Sequence, residues 1–133
     1  MAAEVLVQVE RELDVVSARQ NGRELAATIG FSSTDQTLLA TAISEVARNI
    51  VSYAGKGTVL LQTLEENGRR GLSIVAQDQG PGIKNIDLAI QDGYSTGKSL
   101  GLGLPGAKRL VDAFEIRSTP GVGTTITMKK WLR

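Results

Sequence analysis

Glu45 and Asn49 stand four residues apart in a stretch whose apolar residues recur at helical intervals. On a helix, positions four apart lie about 40° from each other on one face. A carboxylate and an amide oxygen placed this way can aim at one ligand. Hard oxygen donors of this kind suit Mg2+, which takes few protein groups and keeps several waters. Taken alone, the same pair is also an ordinary solvated helix edge, with Arg48 pointing further round toward solvent.

A second group follows in Asp78-Gln79-Gly80-Pro81-Gly82. An acid leaves a strand end into a loop whose glycines allow close approach to backbone. Read alone, this is either an ordinary turn or a binding loop. As a binding loop, Asp78 accepts a hydrogen bond from an exocyclic amine such as that of adenine. Guanine carries an oxygen there and cannot donate. The third group is Gly101-Leu102-Gly103-Leu104, running on to Gly106. Small residues entering a helix leave backbone N–H groups free for phosphate oxygens. A tight loop-to-helix junction explains the same residues equally well.

Two familiar phosphate motifs are excluded. Gly93-Tyr-Ser-Thr-Gly97-Lys98-Ser99 has three residues between its glycines, where a P-loop needs four, and it follows a helical rather than a strand pattern. Gly101-Leu-Gly103-Leu-Pro-Gly106 matches a dinucleotide fingerprint in form only. It lacks the strand before it and the acid about 20 residues after it.

These groups need a frame. Val5, Val7 and Val9 alternate with polar residues and predict a first strand. Helices are predicted over about Leu13–Ile29, closed by Gly30, and from a Ser33/Gln36 capping box through Leu39, Ile43, Val46, Ile50 and Tyr53. Thr58–Leu64 and Leu72–Ala76 form a hairpin across Asn67-Gly68. A short helix or turn is expected at Ile86–Ile90, irregular chain at Gly93–Gly103, and a helix at about Leu104–Phe114. Glu115–Ser118 and Thr124–Trp131 make a second hairpin. With helices on one side of a mostly antiparallel sheet, the fold class is α+β, a two-layer α/β sandwich in one domain over residues 1–133.

Composition narrows the chemistry. The 133 residues contain no cysteine and no histidine. Disulfides, thiolate zinc sites, Ser-His-Asp catalysis and a phosphoacceptor histidine are therefore excluded. Fifteen basic residues against 14 acidic ones give no footprint for nucleic acid or an anionic membrane. No apolar run reaches the roughly 20 residues of a spanning helix. The N-terminus is unlike a signal peptide. A soluble cytoplasmic location is expected.

In order, E-x-x-x-N on a helix, D-x-G-x-G after a strand, G-x-G-L before a helix and a closing Gly123-Thr-Thr strand resemble the GHKL ATPase superfamily, whose fold is the Bergerat nucleotide fold. The likeness spans residues 45 to 125. The stretches 49–57, 91–110 and 123–131 are similar in particular to the stressosome switch kinases, relatives of the anti-sigma serine kinases. Ser52-Tyr53 stands where the anti-sigma kinases carry a histidine.

The resemblance implies ATP and Mg2+ as cofactors. It implies Asn49 as the magnesium ligand and Glu45 as general base near the γ-phosphate. Asp78 would hold the adenine amine, with Thr125 through a shared water. Gly80 and Gly82 would admit the nucleotide. Gly101, Leu102, Gly103 and Leu104 would cradle phosphates, and Lys98 would reach the β- or γ-phosphate. It further implies a serine/threonine protein kinase acting on STAS-domain scaffold and antagonist proteins, and activating a PP2C-type phosphatase by partner switching. The rival readings are a nucleotide-gated binding switch without phosphotransfer, a small ATPase, and an anti-sigma factor kinase.

Overall fold

The computed structural model describes residues 3–82 and 103–133. Helix α1, Glu12–Ile29, starts where the Asp14 carboxylate accepts the backbone N–H groups of Glu10 at 2.9 Å and Arg11 at 3.0 Å. Those donors precede the helix and have no carbonyl within it to reach. The helix stops at Gly30, whose φ of +116 is left-handed. The Gly30 and Phe31 N–H groups both turn back onto the Ala26 carbonyl.

Helix α2, Ser33–Tyr53, is capped by Ser32, whose hydroxyl accepts the Asp35 N–H at 3.1 Å. The cap thus sits one residue before the Ser33/Gln36 pair expected from sequence. The Gln36 amide instead donates to the Phe31 carbonyl at 2.9 Å. Leu39, Ile43, Val46 and Ile50 are all buried, as their spacing predicts, while Tyr53 is 48% exposed and lies outside the core.

Strands β1 (Glu4–Val9), β2 (Gly57–Glu66), β3 (Arg69–Asp78), β4 (Ala113–Thr119) and β5 (Gly123–Trp131) form one sheet in the order β1-β2-β3-β5-β4. Every neighbouring pair is antiparallel. Asn67 and Gly68 both take positive φ, 53 and 78, as the two-residue hairpin turn requires.

Helix α3, Gly103–Leu110, ends earlier than the Leu104–Phe114 expected. The Asp112 N–H bonds the Lys129 carbonyl and the Asp112 carboxylate accepts the Trp131 N–H. These bonds turn the chain into β4, where Phe114 pairs with Met128.

The helices share one face of the sheet. Val59, Ile74, Ile126 and Met128 are buried toward them. This is the two-layer α+β sandwich read from the sequence. Helix α2 is its centre, packed against α1, α3 and the sheet. Residues 42 to 47 are consequently buried on every side of the helix. Alpha-1 approaches α2 so closely at Gly22 that a Cβ there would fall 2.1 Å from Ile43 Cδ1. No helix among the described residues is long and apolar enough to cross a membrane.

The Asp14 carboxyl is held below its ordinary value by the two backbone N–H groups it accepts, Glu10 first and then Arg11. A group whose acidity is raised by folding contributes stability at pH values above its unfolded pKa and loses it as pH falls through the folded one. Asp14→Ala should therefore lower the urea midpoint by a constant amount from pH 7 to pH 5. The gap should shrink as pH drops below 3.8, the ordinary value for an aspartate. Urea titrations at several pH values check this, and a gap that widens on acidification contradicts it.

Candidate nucleotide site

Glu45 lies on α2 in the middle of the protein and is only 4% exposed. Its Oε2 accepts the backbone N–H of Gly103 at 3.1 Å, and its Oε1 accepts Arg48 Nη1 at 3.3 Å. Gly103 opens α3, so a carboxylate meets the positive end of that helix. Arg48 does not point to solvent as the helical wheel suggested. Its side chain is 13% exposed, and its Nε donates to Glu12 Oε1 at 3.2 Å. The reason is that α1 covers this side of α2, and Glu12 begins α1.

Asn49 follows one turn later on the same face, half-buried, and Tyr53 one turn after that. The helix then ends at Ala54, against which the loop after β3 is packed. A Cβ on Gly80 would fall 2.5 Å from the Ala54 Cβ, so only glycine fits. Glu45 and the Asp78–Gly82 loop are thus joined by nine residues of α2, roughly 13 Å at 1.5 Å per residue.

Asp78 ends β3 in phase with Ile74 and Ala76 and therefore faces the helices. Its Oδ1 accepts the Gly80 N–H at 2.9 Å, which shapes the loop. Opposite it, Gly57 has no Cβ, and one placed there would lie 2.9 Å from Ile50 Cγ2 and 3.1 Å from the Asp78 Cβ. Gly82 takes a left-handed φ of +78.

The register corrects one assignment. Asp78 pairs with Thr124 on β5, whereas Thr125 pairs with Gln77. Successive strand residues alternate faces, so Thr125 lies on the side of the sheet away from Asp78. Thr124 is 5% exposed, and its hydroxyl meets that of Ser118 at 2.9 Å. Thr124, not Thr125, is the hydroxyl on the Asp78 face.

Leu104 has its side chain in the core at 2% exposure, so only its backbone could meet a ligand. Lys98, Gly101 and Leu102, the Ile86–Ile90 segment and the chain from Gly93 up to Leu102 lie outside the described residues. A polar depression lined by Gln8, Lys56, Thr58, Gln77 and Gln79 touches Asp78 but opens on the other face of the sheet, away from Glu45 and Asn49.

Asn49 offers one hard amide oxygen of the kind Mg2+ takes. No group of three or more His, Cys, Asp or Glu that could hold a metal occurs among the described residues.

Residues 34–133 match the family of histidine kinase-, DNA gyrase B- and HSP90-like ATPases. The serine/threonine-protein kinase RsbT of Bacillus subtilis is 50% identical over 127 residues, 96% of this chain and 96% of its own length. An anti-sigma F factor of Clostridium kluyveri is 28% identical over 131 residues, 90% of this chain and 92% of its own. Among solved structures, the mycobacterial sensor histidine kinase MprB shares the fold with a TM-score of 0.57 at 18% identity, covering 97% of both chains. A chain of the SiaB–SiaC complex of Pseudomonas aeruginosa does so with a TM-score of 0.55 at 14% identity, over 98% of this chain and 89% of that one. This chain belongs to the histidine kinase-, DNA gyrase B- and HSP90-like ATPase family, as its three motifs implied.

If Asp78 receives the adenine amine, Asp78→Asn should weaken ATP binding by roughly ten- to a hundredfold, the loss of one hydrogen bond to a charged group. Thr124→Val should weaken it less, and Thr125→Val should leave it unchanged. Isothermal calorimetry with ATP reads all three, with thermal melts confirming the fold. Equal effects at Thr124 and Thr125 would contradict the register argument.

Proposed function

We propose that this protein is an ATP-dependent serine/threonine protein kinase, with STAS-domain scaffold and antagonist proteins as substrates. The observation that carries this reading is the near full-length likeness to the kinase RsbT. The polar stripe on α2 supports it, because Glu45 and Asn49 stand between an adenine-type acid at one end and a helix N-terminus at the other.

Phosphoryl transfer depends mainly on positioning and charge neutralisation, which suits a chain without histidine or cysteine. Asp78 selects adenine by accepting from its exocyclic amine. The glycines beside Asp78 let the base lie against backbone. The N–H groups opening α3 face the phosphates. Asn49 holds Mg2+, which when bound neutralises charge on the phosphate oxygens. Glu45 orients the acceptor hydroxyl and takes its proton as that oxygen bonds to the γ-phosphorus. The bond from phosphorus to the bridging oxygen breaks, and ADP leaves with the electron pair.

The switching role follows the same likeness. Phosphorylation of the STAS-domain partner releases the kinase, which then binds and activates a PP2C-type phosphatase. Loss of the histidine found in anti-sigma kinases at Ser52-Tyr53 separates this reading from sigma-factor binding.

Incubation with Mg2+ and γ-labelled ATP, with and without a STAS-domain protein of the same genome, tests the reading. Label should appear on a partner serine or threonine and fall at least about a hundredfold with Asn49→Ala, the loss expected when charge stabilisation is removed from a transition state. The variant's melting temperature should match wild type. ATP binding and partner binding without label would leave a nucleotide-gated binding switch. Free phosphate without labelled protein would leave a small ATPase.

A further inference from the structure

Arg48 is a cation placed where the sequence gives it no evident task. It stands three residues after Glu45, a spacing that brings two side chains together on a helix. Its guanidinium donates through Nη1 to Glu45 Oε1 at 3.3 Å and through Nε to Glu12 Oε1 at 3.2 Å. The two carboxylates differ sharply in setting. The Glu45 side chain is 2% exposed and that of Glu12 is 64% exposed. Glu12 therefore acts as a tether at the surface, and Glu45 as the group being held.

We propose that Arg48 is a positioning residue for Glu45, itself tethered by Glu12. The planar guanidinium has donors at fixed angles. With Nε committed to Glu12, the direction of Nη1 is set, and with it the orientation of the Glu45 carboxylate. The Gly103 N–H fixes the other oxygen at 3.1 Å. A carboxylate gripped at both oxygens has one rotational setting. The kinetic part of this inference rests on the kinase reading. The structural part does not.

Five variants and two readouts test it. Arg48→Met keeps the stem and removes the donors. It should lower kcat for phosphotransfer by about ten- to a hundredfold, the scale of a small misplacement of a catalytic group, with KM for ATP little changed. Arg48→Lys should recover only part of the loss, because one ammonium cannot repeat the two-pronged geometry. Glu12→Gln should cost less than Arg48→Met. The Glu45→Gln/Arg48→Met double variant should be no slower than Glu45→Gln alone, since Arg48 acts only through Glu45.

The second readout needs no phosphotransfer. Amide hydrogen exchange at Gly103 should accelerate at least about tenfold in Arg48→Met, while core amides such as that of Ile74 stay protected. Losses that multiply in the double variant overturn the proposal, as does unchanged exchange at Gly103. If the wild-type protein labels no partner, the kinase reading falls, and Gly103 exchange alone decides whether Arg48 positions Glu45.

Discussion

The Glu45 carboxylate is withdrawn from water and holds a guanidinium at one oxygen and the Gly103 N–H at the other. A buried charge persists only with partners of this kind, and removing one from a buried pair typically costs about 3–5 kcal/mol. Three helices consequently have linked positions. Glu45 belongs to α2, Gly103 opens α3, and Arg48 reaches Glu12 at the start of α1. The polar chain crosses the helical layer above an otherwise apolar core.

The far end of the site is set by the absence of side chains. A Cβ on Gly57 would come within 2.4 Å of the Gln77 carbonyl, and one on Gly123 within 2.2 Å of the Asp78 carbonyl. Any larger residue at either place pushes β3 away from its neighbours. Gly80 meets Ala54 in the same manner. Asp78 is therefore locked between the end of α2 and the β4–β5 turn, where the Gly121 N–H bonds the Pro81 carbonyl at 2.8 Å. One end of the site is fixed by charge and the other by close backbone contact. Helix α2 is the ruler between them.

Much of this was legible before any coordinates. The Leu39, Ile43, Val46, Ile50 stripe, the Asn67-Gly68 hairpin and the two-layer sandwich all follow from local periodicity and turn chemistry. The errors have separate causes. A helical wheel assumes one buried face, but α2 is flanked on both sides, so Arg48 is enclosed where the wheel left it in water. Small residues all round the helix, Ala40, Ala42, Ser44 and Ala47, were the available sign, because they permit close neighbours on every side. The choice between Thr124 and Thr125 turned on a one-residue phase that composition does not carry. Counting the β3–β5 register from Asp78 settles it. The short α3 likewise depends on Asp112 meeting β5, a contact remote in sequence.

The arrangement also bears on a problem intrinsic to the proposed chemistry. The N-terminus of α3 attracts anions, and two would use it: the Glu45 carboxylate already there, and the nucleotide phosphates. Two anions near one helix end repel each other, the more so in a water-poor site. If Asn49 holds Mg2+ as proposed, the ion would offset charge on the phosphates rather than on Glu45. Arg48 answers it on the other side, from beneath the carboxylate, with two of its five N–H donors committed to Glu45 and Glu12. A lysine at that position would have no second prong to hold it back. On this argument the anchoring of Arg48 by Glu12 matters as much as its charge. It keeps the cation beside Glu45, so that, if Glu45 is the base as proposed, its charge is offset where the phosphates would approach.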